Sequence, residues 1–299
     1  MAQTLHFHLH QVAEYINWGY LFHAWGLPFA YESLARVKGC EACRLSWADT
    51  LPAEEQGEAR QAVQLFQDAN RLLSRLDYAV QTHARIDLLP ANGDGDDIVV
   101  WDERGDVHRL PMLRQQHGEE CKCLADYLLP IERGQHDQIG LFVASVDQQI
   151  EDLYPDDSYQ HMLAQTLADR LAEATGELVH QMVRTRLWGY SPDERLTPQQ
   201  LFNEEYQGRR PAVGYPSIPD QSINFLLNEL LDMSAIGVSL TESGAMRPHA
   251  STSGLMIAHP ALRHFAVGPI SQDQLADYAQ RRGLGIPVIQ KFLAANLQP

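Results

Sequence analysis

The sequence predicts a single α+β domain, on three observations. Residues 53–76 and 158–187 carry apolar side chains at helical spacing over many turns, which predicts two long helices. Short apolar runs at 98–101 and 139–146 predict strands instead. No linker-like stretch separates two cores, so we expect residues 1–299 to form one domain.

Each long helix has one apolar stripe. The stripes are Ala59, Val63, Phe66, Ala69, Leu73 and Leu76 in the first, and Leu163, Leu167, Leu171, Ala174, Leu178 and Met182 in the second. The second helix also carries Asp169, Glu173, His180 and Arg184 at i+4 and i+7 spacings on another face. That face is either a salt-bridged surface or a carboxylate face turned towards a cationic ligand.

The other predicted elements are short. Residues 90–97 read PANGDGDD, which predicts a loop leading into a hairpin with strand 98–101. Further helices are predicted at 197–206, 225–231, 271–282 and 288–293, and further strands at 6–10, 255–258 and 265–267. The first of these helices opens with threonine and proline, a capping pair.

The composition argues against two classes of partner. The chain has 39 acidic and 23 basic residues and a formal charge of −16, so we expect neither nucleic-acid nor anionic-membrane binding. No apolar run approaches the roughly 20 residues of a membrane span. The first residues lack the basic and apolar parts of a signal peptide, so the expected location is the cytoplasm.

The four cysteines form two close pairs. Cys40 and Cys43 make a C-x-x-C pair, and Cys121 and Cys123 make a C-x-C pair. Four thiolates could hold zinc in a tetrahedral site. The long gap between the pairs favours unrelated reduced thiols, and we expect no bound metal.

Segment 208–219 reads GRRPAVGYPSIP and is the most distinctive part of the chain. Its three prolines predict an irregular, extended run. Arg210 carries a planar fork that suits a carboxylate, and Tyr215 offers an aromatic face with a polar tip. The pair could hold a zwitterionic ligand with a flat ring, although a proline-rich surface loop with a solvated arginine is the commoner outcome.

A series of motifs surrounds this segment. They are YINW (15–18), PANGDGDDI (90–98), LRQQ (113–116), CLAD (123–126), ADRLAEA (168–174), WGY (188–190), EEYQG (204–208), LTESGAM (240–246), STSG (251–254), AHP (258–260) and DQLADYAQRRG (273–283). In this order and at these distances the set resembles the activation domain of cobalamin-dependent methionine synthase, which binds S-adenosylmethionine (AdoMet). The resemblance covers nearly the whole chain.

The resemblance implies a bent antiparallel sheet with helices around it, and an AdoMet site. The implied site residues are Arg210, Ala212, Tyr215, Glu173, Glu204, Asn17 and His264. In the family, the glutamates matching Glu173 and Glu204 lie near the sulfonium of AdoMet. An acidic residue is usual at Asn17, and a tyrosine that touches AdoMet corresponds to His264. The cofactors carry the chemistry, so no catalytic residue is expected in this chain.

The implied function is that of a stand-alone reactivation subunit. In the family, inert cob(II)alamin is reduced by flavodoxin and then methylated from AdoMet. This sequence lacks Asp-x-His-x-x-Gly, the cobalamin-ligating motif, so we expect cobalamin on a partner chain, a corrinoid-binding methyltransferase, with a flavodoxin-like reductant.

The alternative function is a diverged AdoMet-binding regulatory or interaction module that no longer serves methionine synthase. It rests on departures from the family pattern, besides His264, at Gln221, Asn224, Gly244, Arg247, Leu255 and Met256. By this interpretation the surface that faces the corrin is altered.

Overall fold

The computed structural model describes residues 1–297. Its α-helices are α1 (Leu9–Val12), α2 (Trp18–Ala24), α3 (Glu41–Asp49), α4 (Gln56–Leu76), α5 (Ser158–Met182), α6 (Pro198–Phe202), α7 (Ile223–Leu231), α8 (Gln272–Arg281) and α9 (Ile286–Phe292). Its strands are β1 (Gln3–His8), β2 (Gln81–Asp94), β3 (Asp97–Trp101), β4 (Val107–Pro111), β5 (Asp137–Val146), β6 (Ser239–Leu240), β7 (Met246–Arg247) and β8 (Ser251–Met256).

Six strands form one antiparallel sheet in the order β4-β3-β2-β5-β8, with β1 also paired to β2. The long strand β2 pairs with β5 along one edge. On its other edge, residues 81–86 pair with β1 and residues 91–94 pair with β3. The predicted α+β fold, with an antiparallel sheet flanked by helices, is confirmed.

Strand β5 lies at the centre of the core. Alternate side chains point to opposite faces of a strand. Phe142 and Ala144 belong to an apolar cluster that includes Val179 of α5, whereas Leu141 and Val143 belong to one that includes residues of α7. Both faces of the sheet are therefore covered, which explains why β5 is an almost unbroken apolar run.

The two long helices are confirmed, with different ends. Helix α4 begins at Gln56 rather than residue 53, because the backbone first makes a turn in which Glu55 N–H donates to the Pro52 carbonyl (2.9 Å). Helix α5 ends at Met182 and continues as one π-helical turn over Val183–Leu187. None of the helices in residues 1–297 has the length and apolar character needed to span a bilayer.

The loop predicted at residues 90–97 is much shorter in the structure. Residues 90–94 belong to β2, and the hairpin turn consists of Gly95 and Asp96 alone. Proline lacks the N–H that a central strand normally donates. Pro90 is tolerated because residues 87–90 have no strand partner on the edge that β1 and β3 share.

One smaller strand prediction is wrong and another has the wrong bounds. Residues 265–267 are not a strand, because they bond to segment 208–219: Val267 N–H donates to the Pro216 carbonyl (2.8 Å). The strand predicted at 6–10 ends at residue 8. His10 lies in α1, where its ring bonds to Asp77.

The cysteine pairs differ in exposure. Cys40 and Cys43 are exposed, Cys121 is half-buried and Cys123 is buried. Burial raises the pKa of the Cys123 thiol to about 12. Across residues 1–297, no three His, Cys, Asp or Glu side chains form a group that could hold a metal ion.

Candidate ligand-binding site

Segment 208–219 extends the sheet beyond β8. Arg209 and Ile257 exchange two backbone hydrogen bonds (2.9 and 3.0 Å), Leu255 N–H donates to the Pro211 carbonyl (3.0 Å), and Val213 N–H donates to the Ser253 carbonyl (2.9 Å). The predicted extended run is therefore present, but it is anchored to the sheet and is not a solvated surface loop. Because these bonds use residues 209, 211 and 213, the peptide groups of Arg210 and Ala212 lie on the side away from β8.

Two glycines permit the close packing of this segment. A Cβ on Gly254 would lie 2.2 Å from the carbonyl oxygen of Pro211, so only glycine lets β8 and the segment approach this closely. A Cβ on Gly176 of α5 would lie 3.0 Å from Nη1 of Arg210, so the missing side chain leaves room for the guanidinium group.

A cavity of about 840 Å³ lies beside the segment, a size typical of small-molecule sites. All seven predicted site residues line it: Asn17, Glu173, Glu204, Arg210, Ala212, Tyr215 and His264. Helix α5 forms one wall with Arg170, Glu173, Ala174 and Glu177, which share one face at i, i+3, i+4 and i+7. The structure thus brings together residues that are far apart in the chain.

Arg210 lies between two carboxylates of α5. Its Nη1 is 3.6 Å from Oε2 of Glu173, and its Nη2 is 3.5 Å from Oε2 of Glu177. Burial acts to lower the pKa of Arg210, but the charges of Glu177 and Glu173 outweigh it and raise the pKa, so the group stays cationic. Both contacts are longer than a close charge-assisted hydrogen bond. The two carboxylates therefore balance the charge of the Arg210 guanidinium, but neither holds it in a bidentate pair.

The side chain of Glu173 lies in the cavity and contacts segment 208–219, not another residue of α5. Tyr215 donates its hydroxyl to Oε1 of Glu173 at 2.9 Å, and burial together with the charge of Glu173 raises the pKa of Tyr215. The sequence allowed an ion pair between Glu173 and another residue of α5. That ion pair is formed by Glu177 instead, whose Oε1 is 3.5 Å from Nη1 of Arg184. A salt-bridged surface is therefore the wrong interpretation for Glu173.

Glu204 lies between two cationic or protonatable groups. Its Oε1 is 3.1 Å from Nε2 of His264, and its Oε2 is 3.1 Å from Nε of Arg209. Burial acts to raise the pKa of Glu204, but the hydrogen bond to His264 and the charges of His264, Arg209 and Arg210 together lower it. Glu204 also has a left-handed backbone, with φ of 55°, which is uncommon for a non-glycine residue.

Asn17 has a structural contact as well as a place in the cavity wall. It is the N-cap of α2, and its Oδ1 accepts a hydrogen bond from Gly19 N–H at 3.1 Å. Asparagine and aspartate are about equally good in this position. A carboxylate here would therefore keep the cap and add a charge to the cavity.

Several lining residues were missed by the sequence analysis. Glu177 follows Glu173 by one helical turn, a spacing that could have revealed it. Tyr20, in the aromatic stretch after residue 15, also lines the cavity and is 53% exposed. Its ring makes an edge-to-face contact with Phe29, which is 41% exposed and also lines the cavity. These two rings give the site an apolar, aromatic wall.

A buried layer behind the cavity supports Glu177. Arg184 is fully buried and makes a bidentate pair with Glu194 (2.8 and 3.0 Å). Its guanidinium lies 3.8 Å from the ring centroid of Tyr206, whose hydroxyl donates to Glu177 at 3.4 Å. Glu177 is thus held between two arginines, and its contact with Arg210 is part of a larger charge network.

The departures from the family pattern lie mostly outside the cavity. Of them, only Asn17 and His264 line it. Leu255 and Met256 are fully buried in the core. Gly244 has φ of 78°, and a Cβ there would lie 2.7 Å from the carbonyl oxygen of Gln221, so a larger residue does not fit this backbone.

The fold and the cavity define a class of small-molecule-binding α+β domains with an arginine, facing carboxylates and exposed aromatic rings in one pocket. Residues 8–283 match the family described as "Vitamin B12 dependent methionine synthase, activation domain", and the chain belongs to this family. This chain is also similar to the MetH reactivation domain, which has a crystal structure bound to AdoHcy. The two sequences are 34% identical, and the two structures superpose with a TM-score of 0.86. That similarity covers 100% of this chain and 91% of the other.

Proposed function

We propose that this chain binds AdoMet in the cavity and supports the reductive methylation of cobalamin in B12-dependent methionine synthesis. The observation that carries the proposal is the meeting of all seven implied AdoMet residues in one cavity of about 840 Å³. The similar MetH reactivation domain, which binds AdoHcy, supports the same ligand class. We further propose that residues 1–299 form one domain.

The residues divide by the chemistry of the ligand. Arg210 is the group for the α-carboxylate, because its fork is cationic and not locked by a close pair. The peptide group of Ala212 and the aromatic face of Tyr215 suit a flat, polar ring such as adenine. Glu173 and Glu204 supply negative charge for the sulfonium, a cation that donates no hydrogen bonds.

These carboxylates also favour release of the product. Methyl transfer removes the positive charge from sulfur, so AdoHcy no longer gains from a nearby carboxylate. The site therefore binds the methyl donor more tightly than the spent product.

Cobalamin would be held outside these residues, on a corrinoid-binding methyltransferase, with electrons from a flavodoxin-like reductant. The corrinoid supplies the cobalt that accepts the methyl group. This chain binds and orients AdoMet and balances its charge, and none of its side chains need act as acid or base. The formal charge of −16 fits a cytoplasmic protein whose partners are not nucleic acids.

The alternative, a diverged module that no longer serves methionine synthase, is not favoured. Membership of the activation-domain family supports the first function. The family departures at Leu255 and Met256 are buried, so they are not available to face a corrin.

A methyl-transfer assay tests the proposal. A corrinoid-binding methyltransferase in its cob(II)alamin form is mixed with a reductant and with AdoMet that carries a labelled methyl group. We expect labelled methylcobalamin to form only when this chain is present, and Arg210→Ala to reduce it. Arg60→Ala is the matched control, since Arg60 is exposed on α4 and does not line the cavity. Equal labelling with and without the chain would exclude the function.

A further inference from the structure

The Cys40–Cys43 pair is not used by the proposed site. Both thiols are exposed, and their sulfurs are 3.8 Å apart. A disulfide requires about 2.05 Å between the sulfurs, so an approach of less than about 2 Å would suffice. Neither residue lines the cavity.

The local backbone brings the two thiols together. Cys40 is the N-cap of α3, and Cys43 is the third residue of that helix, one turn further on. Cys43 N–H donates to the Cys40 carbonyl at 3.1 Å, which fixes the first turn. This arrangement places the two side chains at the same end of the helix, open to solvent.

Gly39 leaves space for the Cys43 thiol. A Cβ on Gly39 would lie 2.8 Å from Sγ of Cys43 and 3.2 Å from its Cβ. Gly39 also has φ of 125°, in a region that side-chain-bearing residues rarely adopt. Gly39 therefore leaves the space, and adopts the backbone conformation, that the close contact between the two thiols needs.

The start of α3 favours the thiolate form of Cys40. The backbone N–H of Cys43, followed by the Cys43 thiol and the N–H of Ala42, lowers the pKa of the Cys40 thiol. A lower pKa increases the thiolate fraction at neutral pH, and the thiolate is the nucleophile in disulfide exchange. This favours Cys40 as the attacking thiol.

We propose that Cys40 and Cys43 form a reversible redox site that exchanges with low-molecular-weight disulfides such as oxidised glutathione. The Cys40 thiolate attacks the small disulfide, forming a mixed disulfide and releasing one small thiolate. The Cys43 thiolate then attacks Sγ of Cys40 and expels the second small thiolate. The two protein thiols are oxidised, the small disulfide is reduced to two thiols, and the protons pass to the leaving thiolates.

The test is a redox titration of the folded chain in glutathione buffers, with acid quenching, alkylation of free thiols and mass analysis of the peptide that contains residues 40–43. A Cys121→Ser background removes the other accessible thiol, and buried Cys123 is an internal control. We expect Cys40 and Cys43 to lose alkylation together and to recover it with dithiothreitol. The disulfide should form at least about tenfold more favourably than in the same chain unfolded in guanidinium.

Variants make the test specific. Cys40→Ser and Cys43→Ser should each leave only a mixed disulfide with glutathione, and Gly39→Ala should lower the disulfide fraction by crowding Cys43. Thermal unfolding of each variant shows whether the fold is kept. An equal equilibrium in folded and unfolded chains, or only mixed disulfides in the parent, would overturn the proposal. Neither result bears on AdoMet binding.

Discussion

Replacing Glu173 by glutamine removes one charge from the cavity and little else. Glutamine keeps a carbonyl oxygen that can accept the hydrogen bond now donated by Tyr215 at 2.9 Å. The ion pair with Arg210, at 3.6 Å, is lost. That loss affects AdoMet and S-adenosylhomocysteine alike, because both carry the α-carboxylate. The ratio of the two affinities therefore isolates the interaction between Glu173 and the sulfonium.

The size of the effect follows from distance and screening. A carboxylate about 6 Å from a unit positive charge gains roughly 3 kcal/mol at an effective dielectric constant near 20. Arg210 neutralises part of the Glu173 charge, and the Glu173 side chain is 29% exposed, so solvent screens it further. We expect about 1 kcal/mol to remain, which is a fall of about fivefold in the preference for AdoMet.

The assay is a pair of calorimetric titrations, one with AdoMet and one with S-adenosylhomocysteine, at one salt concentration. Asp169→Asn is the matched control. It makes the same charge change one turn earlier on α5, where Asp169 contacts His249 at 3.4 Å and does not line the cavity. A ratio that is unchanged in Glu173→Gln, or changed equally in the control, would remove Glu173 from the sulfonium site.

Three further changes test other parts of the site. Asn17→Asp should keep the N-cap of α2 and raise the preference for AdoMet over S-adenosylhomocysteine a few-fold in the same titrations. An unchanged ratio of the two affinities would mean that residue 17 does not interact with the sulfonium. The Glu204 carboxylate has a lowered folded pKa, so its stabilisation is complete above about pH 4.5 and is lost as pH falls through the folded pKa. Urea unfolding of wild type and Glu204→Gln should therefore differ at neutral pH and converge in acid, and a constant difference would contradict this. Gly254→Ala should destabilise the fold by about 2 kcal/mol or more through its clash with Pro211, whereas Gly57→Ala in the open face of α4 should not.

The sequence could predict the elements whose pattern is local. Helical periodicity revealed α4 and α5, and the apolar run at 139–146 revealed β5. The composition of residues 90–97 is typical of turns, so it concealed the end of β2. Strand β2 continues through Pro90 because residues 87–90 have no strand partner on the edge that β1 and β3 share. This depends on the tertiary structure, which a local sequence pattern does not show.

The site was predictable only through the set of motifs. Spacing alone favoured a solvated Arg210 in a surface loop, because the hydrogen bonds to β8 join residues 40 or more positions apart in the chain. The charge balance of Arg210 between Glu173 and Glu177 is also a contact between distant segments. The exposed rings of Tyr20 and Phe29 were missed because an aromatic-rich stretch normally indicates core.

Calorimetry with AdoMet on wild type and Arg210→Ala tests the central claim most directly. Arg210 should contribute a charge-assisted, bidentate contact with the α-carboxylate worth about 1.5–3 kcal/mol. Its removal also leaves Glu173 without an arginine partner and Glu177 with Arg184 alone, beside the ligand's carboxylate, so binding should weaken at least about tenfold. Arg60→Ala should bind as wild type does. The absence of binding heat and of any thermal shift for wild type in millimolar AdoMet would contradict the account.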